Sequence, residues 1–305
     1  MKRFCYTLLN FCVLMIVIMI GLDVFVSKQY HHNKDRLYDS WNYIFYDIGY
    51  HELVINGNSR AWVQYNPTIL DSVLNINAYN LGIDGSGINR QMIKYNFYCS
   101  NHGYPKVLIQ NIDIFSLAIT KGYDREQFFP YFYNQTFLSA IDKYEQFSLL
   151  EKIIPFYRYI GTTPINRLYS KEQILTNKGY TGIDRMWDSS SYNKVDTIYA
   201  DLDTILYTEF RTFLQEHIAN GTKVIFVYAP LYHGIIEKCV NIDEMYNMYG
   251  MLAQEFEIPI LNYNESSICY DTTCFYNAMH LNKKGAEIFS KQLAYDIDSL
   301  GLLEE

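Results

Sequence analysis

Two residues of this 305-residue chain carry chemistry that fits together: a serine where a helix should begin, and a histidine just ahead of another helix. Ser59 lies in Ile55-Asn56-Gly57-Asn58-Ser59-Arg60, where a short apolar strand runs into a Gly-containing turn. That position exposes a hydroxyl at the edge of a sheet and surrounds it with helix N-terminal amides, which stabilise a developing oxyanion. A serine there also serves as a plain helix cap. His280 lies in Phe275-Tyr276-Asn277-Ala278-Met279-His280-Leu281-Asn282, in a loop from which it can reach the end of another strand as a general base. Each fragment alone fits a structural role. Both together, in this order and each in a strand-to-helix context, point to a Ser-His pair.

The elements that must position this pair are legible as an alternation. Apolar strands are expected at 52–56, 78–82, 106–111, 223–228 and 258–262. Helices are expected from Ser59, over 88–101, 202–219 and 242–256, and from 283 to 299. This rhythm predicts an α/β domain over 51–300, a three-layer fold with a parallel sheet covered on both faces. Right-handed crossovers then gather the loops that follow the strands along one sheet edge. Between Ser116 and Val195 the rhythm stops, and segments such as Phe128-Phe129-Pro130-Tyr131-Phe132-Tyr133 predict an aromatic-rich insertion over that edge. Its rings suit stacking on sugars, and equally suit packing into a small core of their own.

Lys2 and Arg3 precede an apolar run over 4–22, interrupted only by Thr7 and Asn10. That length spans a bilayer as a helix, and the cations ahead of it keep the N-terminus in the cytoplasm and export the rest. Residues 1–28 therefore read as a membrane anchor, followed by a stalk or lead-in helix over 29–50. A cleavable signal is the alternative, although Gly21-Leu22-Asp23-Val24-Phe25 offers no small-x-small site. With 25 Lys+Arg against 33 Asp+Glu the net charge is −8, which argues against a nucleic-acid partner. Cys269 and Cys274 are close enough in sequence to form a disulfide in an exported compartment, or to be packed thiols.

These residues resemble the SGNH (GDSL-like) hydrolase superfamily, and within it the membrane-anchored branch that includes the teichoic-acid D-alanyl transfer and alginate O-acetylation proteins. Gly57-Asn58-Ser59-Arg60 is similar to the nucleophile block of that branch, where Arg commonly follows Ser. Asn80-Leu81-Gly82-Ile83-Asp84-Gly85 resembles the second block, whose Gly donates a backbone N–H to the oxyanion. His280-Leu281-Asn282 with Gly285-Ala286 resembles the last block, normally Asp-x-x-His-Leu-Asn. The likeness covers roughly residues 50–115 and 220–300. It departs where Asn277 replaces the usual Asp, so the residue that orients His280 contributes no charge. Asp271 or Asp113 are candidate substitutes.

The resemblance implies an SGNH-like (flavodoxin-like) fold and acyl transfer without a metal or other cofactor. Ser59 is the nucleophile, His280 the base, and the amides of Ser59 and of Gly82 or Gly85, with Asn111, the oxyanion donors. Arg60 is a candidate for binding an anionic substrate group, or a salt-bridge residue. It further implies an esterase or O-acyltransferase of an extracytoplasmic glycan, tethered beside a polytopic membrane-bound O-acyltransferase. A glycan-binding or assembly protein that keeps the fold without catalysis is the other expectation.

Overall fold

Five short segments form the centre: in chain order the first three are fully buried, the fourth all but its first residue, and the fifth, at the sheet edge, is largely exposed. They are β1 (Leu53–Asn56), β2 (Ala78–Asn80), β3 (Val107–Asn111), β4 (Lys223–Tyr228) and β5 (Ile260–Asn262), all parallel and in the order β2-β1-β3-β4-β5. This is the doubly wound order with its switch point between β1 and β3, so the site is expected where those two strands end. The computed structural model describes residues 1–117, 124–160, 176–190, 192–200 and 202–303.

Helices cover both faces. On one side lie α2 (Asp39–Tyr46), α5 (Ile88–His102), α8 (Thr204–Ala219), the short α9 (His233–Glu237) and α10 (Ile242–Phe256); on the other α3 (Ser59–Gln64), α4 (Pro67–Leu74) and α11 (Lys283–Ser299). The α/β architecture expected from the sequence is the one observed. The helix α4, with Pro67 at its first position and Asn66 capping Thr68 N, adds an element that the sequence rhythm did not suggest. Between β5 and α11 a small antiparallel hairpin, β6 (Phe275–Asn277) and β7 (His280–Leu281), carries the histidine.

The segment read as a stalk or lead-in helix does not stand away from the domain. Tyr38, Trp41 and Ile44 are buried in the core cluster of one sheet face, joined there by Phe128, Phe129, Tyr131, Phe132 and Phe137 of the insertion. The aromatic run is therefore mostly interior. Trp41 meets Phe137 edge-on at 5.3 Å and donates from Nε1 to Gln127. Within the insertion, α6 (Gln135–Glu145) is clamped to α5 by a buried Arg90–Glu145 pair at 2.6 Å, and α7 (Leu149–Ile153) follows it. The expected 116–195 insertion falls partly outside the described residues, at 118–123, 161–175 and 191.

The first helix, α1 (Lys2–Tyr30), is the one helix among the described residues long and apolar enough to cross a membrane, a property that a signal sequence shares. Its apolar side chains are exposed through Leu22, whereas Asp23, Val26, Ser27 and Tyr30 are buried against the domain. Asp23 pairs with Arg158 and accepts the Tyr133 hydroxyl and the Phe156 N–H, both at 2.5 Å.

Cys269 and Cys274 are free thiols. The Cys269 thiol points to the Tyr263 carbonyl at 3.1 Å and the Cys274 thiol to the Asp271 carboxylate at 3.5 Å, the packed-thiol alternative of the two that the sequence left open.

Candidate active site

Ser59 is the first residue of α3, directly after the turn that ends β1. Its position follows from three local devices. Asn58 caps the helix by accepting from Arg60 N at 3.0 Å. Gly57 leaves the space that α3 needs, since a Cβ there would lie 2.7 Å from the Cβ atoms of both Ala61 and Asn111. The chain after β2 keeps pairing alongside, Leu81 N donating to Ile55 O and Ile83 N to Gly57 O, which brings the 82–87 loop beside the serine.

His280 arrives from the opposite end of the sequence. Asn282 caps α11 through Gly285 N at 3.0 Å, and its amide holds the Thr273 and Phe275 carbonyls, which fixes the loop ahead of the helix. Leu281 and Ala286 are fully buried anchors on either side of that cap. The result is a contact across 221 residues: His280 Nε2 lies 2.8 Å from Ser59 Oγ. The ring stacks on Tyr276, with planes 5° apart and centroids separated by 5.4 Å.

The other ring nitrogen, Nδ1, lies 3.0 Å from Asn277 Oδ1. Hydrogen-bond chemistry then sets the tautomer. The Met279 backbone N–H can only donate, and it reaches the same Oδ1 at 2.9 Å, so the amide oxygen faces the ring. Nδ1 must carry the proton, and Nε2 is left as the acceptor for the serine hydroxyl. This is the orientation a general base needs, achieved by an amide instead of a carboxylate. Burial, and then the nearby Arg60 guanidinium, lower the His280 pKa to about 4, with Asp113 acting weakly in the other direction. The imidazole is thus neutral at neutral pH.

Neither candidate carboxylate substitutes for the missing Asp. Asp113 is buried and committed to Arg60 Nη2 at 3.2 Å, Asn58 Nδ2, and the Phe115 N–H at 2.8 Å. Asp271 caps its own turn through Thr273, at 2.9 Å to N and 2.7 Å to Oγ1, and faces Lys284.

Three other candidates are engaged within the protein. Arg60 takes the salt-bridge alternative: only 3% exposed, it pairs with Asp113 and donates to the Ala229 carbonyl. Gly82 does not offer its N–H to a substrate, because that N–H donates to Asn80 Oδ1 at 2.8 Å. Its lack of a side chain instead lets α3 approach, since a Cβ would sit 2.3 Å from Trp62 N. Asn111 is fully buried, its Oδ1 taken by the Tyr65 hydroxyl at 2.7 Å and its Nδ2 directed at Asp113. Gly85, at φ +61 in the turn of the 82–87 loop, keeps its candidacy as an oxyanion donor beside the Ser59 amide.

The roles that sequence reasoning passed over are those of Asn58 and Asn80, while Asp113, weighed there as a partner for His280, instead holds Arg60 and Asn58. Asn80 Nδ2 binds the carbonyls of Ala61 and Tyr65, locking α3 to β2. Asn58, Asp113 and Arg60 form a buried hydrogen-bonded cluster at the start of α3.

No protein-family model matches the sequence, and no curated protein matches it. Solved structures similar to it include a lipolytic protein of the G-D-S-L family from Desulfitobacterium hafniense, at 10% identity and TM-score 0.40 over 80% of this chain and 97% of that one. A GDSL-like lipase from Bacteroides thetaiotaomicron is 12% identical with TM-score 0.37, over 80% and 88%. A Streptococcus pneumonia protein described as a platelet activating factor is 10% identical with TM-score 0.43, over 96% and 99%. Likenesses this distant carry no information about which residues react or on what.

Proposed function

We propose that the chain is a membrane-anchored SGNH-like acyl esterase or O-acyltransferase that acts through a Ser59 acyl-enzyme. The observation that carries this reading is the 2.8 Å approach of Ser59 Oγ to an imidazole nitrogen whose tautomer is set to accept. Ser59 Oγ attacks an ester carbonyl while its proton passes to His280 Nε2. The oxyanion is met by the Ser59 and Gly85 amides, and its collapse breaks the ester C–O bond as His280 protonates the departing alcohol. Water or a sugar hydroxyl, deprotonated by the same nitrogen, then takes the acyl group. Asn277 orients the ring without stabilising the imidazolium, so this chemistry is slow beside that of an Asp-bearing triad.

The target we assign is a glycan outside the cytoplasm: its O-acetyl ester where the reaction is hydrolysis, or its free hydroxyl where the acyl group is transferred from a polytopic membrane-bound O-acyltransferase. Its basis is the resemblance of the three sequence blocks together with an anchor-length helix. A second reading, a glycan-binding or assembly protein on the same fold, is favoured by the internal commitments of Gly82, Asn111 and Arg60.

The deciding experiment is p-nitrophenyl acetate hydrolysis by the full chain in detergent, with Ser59→Ala and His280→Ala alongside, and fluorophosphonate labelling of each. Turnover and labelling that vanish in both variants support the acyl-enzyme. Equal background in all three, with no label on Ser59, refutes catalysis and leaves the binding protein.

A further inference from the structure

The short helix α7 has its polarity turned inside out for a surface in water. Its two charged residues face the protein: Glu151 pairs with Arg125 at 3.3 Å and Lys152 with Asp142 at 2.8 Å. Their side chains are 18% and 29% exposed, whereas Leu149, Leu150 and Ile153 on the outward side are 65%, 46% and 66% exposed. Tyr157 and Ile160 extend the same apolar surface. An exposed contiguous patch of this kind marks an interaction surface.

Its position says what covers it. The Tyr159 hydroxyl lies 2.9 Å from Ser27 Oγ, and Phe156 N donates to Asp23. Ser27 and Asp23 are one helical turn apart on α1, about 6 Å along the axis. Followed backwards from Tyr159 to Phe156, the chain therefore climbs α1 toward its apolar run, and α7 comes just before. Asp23 is also the level at which α1 stops being buried and its exposed apolar side chains begin, with Phe25, 57% exposed, pointing outward beside it.

We infer that α7 and the following segment through Ile160 rest on the lipid surface of the leaflet that α1 leaves, forming a second membrane contact of the domain. The contact rests on α1 being a membrane span. Side chains in such a contact reach about 5–10 Å into the headgroup boundary, which suits leucines and an isoleucine on one helical face. The surface also fixes which way the Ser59 edge faces, because one helix allows rotation about its axis and two separated contacts do not.

The test uses the full chain with Cys5→Ser and Cys12→Ser, since the remaining cysteines are buried. A single bimane probe is placed at Ile153→Cys, Val13→Cys or Tyr295→Cys in phosphatidylcholine–phosphatidylglycerol vesicles. The acyl chains are brominated either near the headgroup or near the methyl end. The expected result is emission loss at Ile153 chiefly from the shallow bromines, loss at Val13 chiefly from the deep ones, and none at Tyr295. Quenching at Val13 with Ile153 as bright as Tyr295 overturns this contact alone and leaves the patch to a protein partner. No quenching at Val13 or Ile153 overturns the spanning anchor as well. Leu149→Cys repeats the reading should Ile153→Cys not fold.

Discussion

Asn277→Asp converts the orienting amide into a carboxylate without altering the geometry around it. The Met279 N–H still donates to the side-chain oxygen, which stays about 3.0 Å from His280 Nδ1. A carboxylate at that range raises an imidazole pKa by about 1–3 units. From about 4, the His280 pKa is then expected at roughly 5–7. The gain is about 1.4–4 kcal/mol, since one unit is 1.36 kcal/mol. The imidazolium exists only as the serine proton moves, so this energy acts on the barrier, and acylation should quicken about 10- to 1,000-fold at neutral pH. The assay is kcat/KM for p-nitrophenyl acetate, or fluorophosphonate labelling rate, from pH 4 to 8. The acid limb should move to higher pH by the same 1–3 units by which the plateau rises. An unchanged limb and plateau in Asn277→Asp, with Ser59→Ala still inactive, would refute the assignment of Asn277 as the group that orients His280.

Arg60→Met leaves the Asp113 carboxylate buried and unpaired, a loss of about 3–5 kcal/mol read as a lower urea midpoint with unchanged KM. A normally stable variant with raised KM for anionic esters would restore Arg60 to substrate binding. Gly82→Ala drives a methyl into the Trp62 backbone nitrogen and should cost about 1–3 kcal/mol of stability and displace Ser59, seen as a lower Tm and slower labelling. Wild-type values for both would contradict the close approach described above. Burial lowers His51, His217 and His280 each to about 4. Between pH 6.5 and 4 the unfolded chain binds protons that the folded one does not, so stability falls with falling pH, by up to about 4 kcal/mol per unit for three groups. His217→Gln should flatten the Tm–pH slope by roughly a third over that window, and an unchanged slope would show His217 to be protonated in the fold.

The strands β1, β3 and β4 were readable because parallel strands buried on both faces leave an unbroken β-branched run, and so was the Ser59–His280 pairing, whose residues sit at element boundaries. What could not be read were partners. Whether the Gly82 N–H is free depends on the Asn80 side chain two residues before it, and whether Asn111 is available depends on a tyrosine from a different helix boundary. The character of Arg60 was equally hidden, since a buried pair and a surface ligand have the same local sequence. The aromatic run at 128–133 lacked a period, and only its packing against Trp41 decided which rings are interior.

Helix α1 divides within itself at Asp23, where its exposed apolar stretch ends and the part buried against the domain begins. A cut around residue 28, past the end of the apolar run at Leu22, would carry away Asp23, Val26 and Ser27, which the folded domain counts among its own interior. Arg158 would be stranded with its charge uncompensated, a loss of about 3–5 kcal/mol. Cleavage on the C-terminal side of Asp23 would thus remove part of the domain's own interior along with the apolar stretch, and a shortened form has to begin upstream of that aspartate to last.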